Sequence, residues 1–153
     1  MLCHDGQAPG TLRVGWQACR RNRGAWDAYA ADYADPGRRG WASQEPNWDI
    51  FSVPESRLLL LPEELAGKDV VELGCGTAYV SAWLARRGAR PVGVDLSEKQ
   101  LATALSLQRE FELLFPLVQA NAPVTPVRVP RTAMEEGIPV WATPLPSAPG
   151  TGR

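Results

Sequence analysis

The sequence predicts an α/β fold built on a parallel sheet, and two stretches carry that prediction. The first is Val70-Val71-Glu72-Leu73-Gly74-Cys75-Gly76-Thr77-Ala78, a β-branched run that ends in a carboxylate and turns through glycines into a helical pattern. The second is Pro91-Val92-Gly93-Val94, another apolar run, closed by Asp95. A strand, a glycine-rich loop, a helix and a second strand ending in an acid form the front of a nucleoside-binding α/β unit. The two glycines let the backbone approach a ligand with no Cβ in the way. Asp95, at the tip of the second strand, is placed to accept from a ribose diol.

The elements follow in order. Residues 1–23 mix Gly, Arg and polar residues without a period and read as a disordered N-terminal segment. From Gly24 the pattern changes: Trp26, Tyr29, Ala30 and Tyr33 recur at helical spacing, and Asp35-Pro36-Gly37 is turn chemistry that ends the helix. Trp41 to Trp48 reads as a loop. Ser52 is placed to cap a short helix over Pro54–Leu60, with Leu58 to Leu61 as apolar cover. Residues 24–66 thus form a helical cap region. Asp69–Leu73 is the first core strand, apolar on both faces as a helix-covered parallel strand should be. Its helix carries Val80, Trp83 and Leu84 and ends at Arg86-Arg87-Gly88, with cations and a glycine at the negative dipole end. Arg90–Asp95 is the second strand. Ser97 and Gln100 have capping-box spacing and open a helix that Pro116 closes, and Leu117–Ala120 is the third strand. After Ala122 no helical period survives. Half of the 14 prolines fall between Pro123 and Pro149.

The loop chemistry narrows the ligand. In a dinucleotide fingerprint the third small residue allows tight helix–strand packing; here that position is Tyr79, far too large. A carboxylate at Glu72 would repel a pyrophosphate and suits a cationic ligand. Val70–Ala78 followed by Val92–Ser97 resembles the class I S-adenosylmethionine-dependent methyltransferases, whose first motif is E/D-x-G-x-G-x-G and whose second is an acid closing the next strand. Ala78 replaces the last glycine of that motif, a mild change. The cofactor of that family carries a sulfonium and an amino group, which fits Glu72. A plain βαβ unit with a glycine-rich turn explains the glycines but not both carboxylates at strand ends.

The resemblance implies a Rossmann-like fold with strand order 3-2-1-4-5-7-6, of which residues 67–122 supply the first half. It implies that S-adenosylmethionine is held by Glu72, Gly74, Cys75, Gly76, Thr77, Asp95, Leu96 and Gln100. Asn121 and Ala122 would close the third strand beside the adenine, where an Asn amide can satisfy both edge groups; an ordinary strand-end residue is the other reading of Asn121. The segment W-D-x-x-A-x-x-Y resembles the helix that covers the cofactor in small-molecule methyltransferases. Either Tyr29 or Tyr33 then reaches the methionine end, or both aromatics simply pack the helix down. No fourth strand is visible, so residues 123–153 read as a disordered tail or as out-of-frame sequence after a truncation. The first strand is then expected to offer an open edge for self-association.

The expected function is methyl transfer to a small-molecule acceptor, with no catalytic base that can be named. The alternatives are a nonenzymatic remnant that keeps the cofactor site and a nucleotide-binding module of another class. A formal net charge of −1 gives no long-range field for nucleic acid or a membrane surface. No run reaches membrane-spanning length and Met1–Gly10 lacks signal-peptide order, so a cytoplasmic protein is expected. Cys3, Cys19 and Cys75 are odd in number and widely spaced, which supports neither a disulfide framework nor a metal site.

Overall fold

The computed structural model describes residues 10–48 and 51–120, with side chains from Gln17 onward. Asn121, Ala122 and residues 123–153 lie outside them, as do residues 1–9. The first element is a long helix, α1 (Gly10–Ala42), which corrects two expectations. It begins well ahead of Gly24, because no proline interrupts the chain between Gly10 and Asp35 and one face finds cover. Cys19, Ala30 and Trp41 are buried and lie three turns apart on that face. It also runs through Pro36 instead of ending there. A helix-interior proline costs about 3 kcal/mol, because it removes a backbone donor and crowds the preceding turn. The next turn is held by tertiary contacts that offset this. Trp41 is fully buried, its Nε1 donates to the Thr77 carbonyl at 2.8 Å, and its ring stacks on Phe115 with centroids 5.9 Å apart.

Two short strands, β1 (Asn47–Trp48) and β2 (Val53–Pro54), pair antiparallel and lead into the single turn α2 (Glu55–Leu58). Here the expected Ser52-capped helix over Pro54–Leu60 is not formed. Ser52 has φ +50°, Pro54 occupies the cap position, and no side chain caps it. The buried Glu55 carboxylate accepts from Trp48 Nε1 at 2.5 Å and from the Leu61 amide at 2.6 Å, and so draws the chain out of the helix. Leu58, Leu59 and Leu60 are left exposed instead of serving as cover. Leu61 alone of that run packs inward, on the cluster of Leu65, Trp83, Leu84 and Ala89.

The sheet follows the sequence closely. Strand β3 (Asp69–Leu73) pairs parallel with β4 (Arg90–Asp95), which pairs parallel with β5 (Leu117–Gln119), in the order β3-β4-β5. The crossovers are α3 (Tyr79–Arg86) and α4 (Glu98–Glu110). Trp41, Cys75, Ala82, Leu101, Ala104, Leu107, Phe115 and Leu117 make the main core, so α1, α3, α4 and β5 share one interior. Gly93 sits against it, where a Cβ would meet Leu117 Cδ2 at 2.8 Å. The register puts Leu73 opposite Val94 and Asp95 opposite Gln119, which brings all the strand ends to one side.

One expectation for β3 fails. Val70 packs on the α3 side, but Val71 and Leu73 on the opposite face are 54% and 62% exposed. That face of β3 carries no described helix, and among the described residues β3 has a partner only in β4.

Candidate functional site

At the carboxyl ends of β3 and β4 the chain must leave the sheet, and glycine makes the turn. Gly74 and Gly76 have φ of +71° and +53°, in the left-handed region where a side chain is strained. Ala78 has φ +57° and is fully buried, so the alanine occupies a backbone conformation that glycine would prefer. The amides of Gly74 and Cys75 both donate to the Val94 carbonyl, at 2.7 and 3.0 Å, which ties the loop to the end of β4.

Both strand-end carboxylates already brace this loop. Glu72 Oε2 accepts from the Ser81 amide at 2.8 Å and from the Ser81 hydroxyl at 2.5 Å. It therefore fills the N-terminal turn of α3, the position a pyrophosphate would take. Burial raises the Glu72 pKa above the ordinary carboxylate value; the Ser81 hydrogen bonds oppose the shift and the nearby Asp95 charge adds to it. Asp95 Oδ2 accepts from the Gly76 amide at 2.8 Å and Oδ1 from the Ser97 amide at 2.7 Å. Ser97 caps α4 as expected, its Oγ accepting from the Gln100 amide at 3.1 Å. The same hydroxyl donates to Asp27 of α1 at 2.6 Å. Burial pushes the Cys75 thiol well above its ordinary value, with the Glu72 and Asp95 charges acting the same way. A protonated, buried thiol is packing material and not a nucleophile.

A cavity of about 470 Å³ opens over this loop, within the usual range for small-molecule sites. Its lining brings together Glu72, Gly74, Cys75, Gly76, Thr77, Asp95, Leu96 and Gln100, with Tyr33 from α1. Tyr29 is 58% exposed and does not line it, and Tyr33 is 46% exposed, so neither ring serves to pack the helix down. Trp26 and Asn22 also line the cavity. The sequence reading gave Trp26 no site role and left Asn22 in a frayed terminus. Extending the helical period of Trp26 and Tyr33 by one turn towards the N-terminus would have reached Asn22 on the same face. The rings of Trp26 and Tyr33 lie 6.0 Å apart, tilted by 60°.

The wall that α1 forms is fitted closely to the loop. A Cβ on Gly37 would lie 2.5–2.7 Å from Thr77 side-chain atoms, and one on Gly40 would lie 2.7 Å from the Tyr79 ring. Tyr79, too large for a dinucleotide loop, instead fills the notch at Gly40, and its hydroxyl hydrogen-bonds to the backbone of Asn47.

Two observations test the fit of a sulfonium nucleoside. The described lining holds two carboxylates and neither lysine nor arginine, which favours a cation over a phosphate. The Gln100 amide oxygen is buried without a hydrogen-bond partner, an acceptor that a ligand donor can satisfy. The residues present fit the group.

Comparison with known proteins agrees. Residues 70–131 match the family model described as a methyltransferase domain. That match extends past Ala122, where the sequence reading ended the resemblance. The ubiquinone biosynthesis O-methyltransferase of Pseudomonas aeruginosa is 46% identical over 85 residues, covering 54% of this chain and 37% of that protein. Proteins of the same description are 34% identical over 85 residues in Azoarcus sp. (54% and 36%) and 34% identical over 74 residues in Hahella chejuensis (47% and 31%). The chain thus spans about a third of the length of these relatives. No solved structure matches it significantly. An acid-ended strand, a glycine loop and a second acid thus frame a cavity with no basic side chain in its described lining, and over residues 70–131 the chain is similar to the methyltransferase domain family.

Proposed function

We propose that this chain binds S-adenosylmethionine in the cavity over the glycine loop and serves methyl transfer to a small-molecule acceptor. The observation that carries the reading is a nucleoside-sized cavity with two carboxylates and no basic side chain in its described lining. The relatives are O-methyltransferases, and an oxygen acceptor is the reading we carry over from them.

When bound, the cofactor supplies a methyl group on a sulfonium, an electrophile that needs no further activation. The protein's share is then positioning and exclusion of water. Asp95 grips the ribose with the lone pairs that its two backbone contacts leave free. Glu72, with one oxygen committed to Ser81, offers the other to the positive end of the ligand. Gly74–Thr77 give backbone access, and Leu96 with Cys75 supplies apolar wall. Tyr33, with Trp26, closes the cavity from α1, where ring faces stabilise a cation. Asn121 and Ala122 lie outside the described residues, and their role beside the adenine rests on the resemblance alone. No residue is assigned as a general base.

Calorimetric titration tests this. S-adenosylhomocysteine should bind and NAD should not. Asp95→Ala should weaken S-adenosylhomocysteine at least tenfold, since a hydrogen bond to a charged group contributes roughly 1.5–3 kcal/mol and each 1.4 kcal/mol is tenfold. Preference for NAD would end the methyltransferase reading, and an unchanged dissociation constant in Asp95→Ala would remove the ribose role.

A further inference from the structure

Ala78 stands where the motif that this loop resembles has its last glycine, and it keeps a glycine's backbone, with φ +57° and ψ +34°. The left-handed region leaves an alanine at a disadvantage of roughly tenfold, where a glycine meets none. Rotating the Thr77–Ala78 peptide would return Ala78 to negative φ and relieve the strain. Both ends of that peptide are held. Its N–H, from Ala78, donates to the Cys75 carbonyl at 2.7 Å, within the loop. Its carbonyl, from Thr77, accepts from the Trp41 indole Nε1 at 2.8 Å, across from α1. The backbone donor that a helix would offer this carbonyl is the Ser81 amide, four residues on, and that amide goes to Glu72 instead. The indole thus satisfies a buried acceptor that the local backbone leaves open.

Trp41 is held firmly enough to act as a pin. It is fully buried, stacked on Phe115 and capped by the Arg86 guanidinium 5.9 Å from its ring centroid, which fixes the direction of its N–H. One turn earlier Gly37 fits against the Thr77 side chain, so α1 grips Thr77 by side chain and carbonyl alike. Thr77 lines the cavity, whereas Trp41 does not. A phenylalanine would fill much of the same space and stack on Phe115, but it carries no donor. We propose that Trp41 is a positioning residue for the cofactor loop, its indole N–H holding the Thr77–Ala78 peptide in the orientation that lets an alanine stand in for the glycine. Without that bond the strained loop relaxes, only a fraction of molecules keeps the binding shape, and apparent affinity falls by that fraction. The inference rests on the proposed cofactor site and adds to it a residue thirty-six positions away from the loop it shapes.

The test is a double-mutant cycle on the full chain, with S-adenosylhomocysteine as the calorimetric probe and wild type, Trp41→Phe, Ala78→Gly and the double variant as the four proteins. Trp41→Phe should weaken binding about tenfold when Ala78 is present, the size of the strain the pin holds. In the Ala78→Gly background the same substitution should cost less than about twofold, since a glycine keeps the loop shape unaided. Equal losses in the two backgrounds would reduce Trp41 to core packing and overturn the proposal, as would no loss in either. Replacing Trp41 by benzothienylalanine, whose fused rings carry sulfur in place of the N–H, removes the donor without opening a cavity. It should reproduce the loss even if Trp41→Phe does not fold, and full affinity with it would refute the pin. Amide hydrogen exchange without ligand separates this inference from the cofactor reading. Loss of the indole donor should speed exchange at Ala78 about tenfold, and an unchanged rate would overturn the proposal. A wild type that binds no S-adenosylhomocysteine would instead end the cofactor reading, and with it the function assigned to the pin.

Discussion

Three glycines of α1 differ only in what surrounds them, which makes them a direct test of how this helix docks. Gly24 is exposed, and a Cβ there would meet nothing within 4 Å. Gly24→Ala should therefore show the bare helix-propensity gain of about 1 kcal/mol, a rise in melting temperature of roughly 2–4 °C for a chain of this size. Gly37→Ala gains the same propensity but drives its methyl to 2.5–2.7 Å from Thr77 Oγ1, Cβ and Cγ2. Forcing a methyl into a filled space costs about 1–3 kcal/mol, so the sign should reverse. The two variants should differ by about 2 kcal/mol, or roughly 4–8 °C. Gly40→Ala, blocked by the Tyr79 ring, should follow Gly37→Ala. Thermal unfolding followed by circular dichroism reads all three. Thr77 belongs to the ligand loop, so Gly37→Ala should also weaken S-adenosylhomocysteine while Gly24→Ala leaves it unchanged. Equal melting temperatures for Gly24→Ala and Gly37→Ala would refute the docking of α1 on the loop.

Two further outcomes follow from the carboxylates and the sheet edge. Because burial raises the Glu72 pKa in the folded state, the folded protein holds that proton more tightly than the unfolded chain. This contribution is fully present below the unfolded value and is lost as pH rises through the raised folded value. Glu72→Gln should flatten that part of a urea-stability profile taken against pH, and should weaken the binding of a cationic ligand; a profile identical to wild type would contradict the assignment. The edge of β3 away from β4, which has no partner strand among the described residues, together with the exposed Val71 and Leu73, should promote self-association. Val71→Lys with Leu73→Lys should shift the light-scattering mass towards monomer, and an unaltered mass distribution would place any association elsewhere.

What could be read from the chain depended on how local the cause was. Asp69–Leu73 and Arg90–Asp95 end where the β-branched runs meet glycine or acid, and Ser97 caps α4 as its spacing with Gln100 implies. These are determined within a few residues. Pro36 is a local stop signal that was overridden, because Trp41 and two glycines dock on a loop far along the chain. Leu58–Leu60 read as cover by hydrophobicity alone, but the contacts of Glu55 with Trp48 and Leu61 decide where that turn ends. The carboxylates of Glu72 and Asp95 stood out in sequence. Their bonds to Ser81, Gly76 and Ser97 did not, since they depend on how the loop folds back over the strands.

The reach of α1 has a consequence for the order of events during synthesis. Asp27 meets Ser97 seventy residues away, Arg38 meets Glu110 seventy-two residues away, and Trp41 meets Thr77 across thirty-six. At 5–20 residues per second, the ribosome takes roughly 3–14 s to travel from the end of α1 to the end of α4. Until the later elements are made the helix has no surface to settle on, and Trp41, the largest fully buried side chain among the described residues, has no interior to enter. Contacts so distant in sequence also slow the closing step itself. The nascent chain is therefore vulnerable to capture by chaperones, or by its own neighbours on a polysome, before α4 emerges, and the ligand cavity comes into existence only after that.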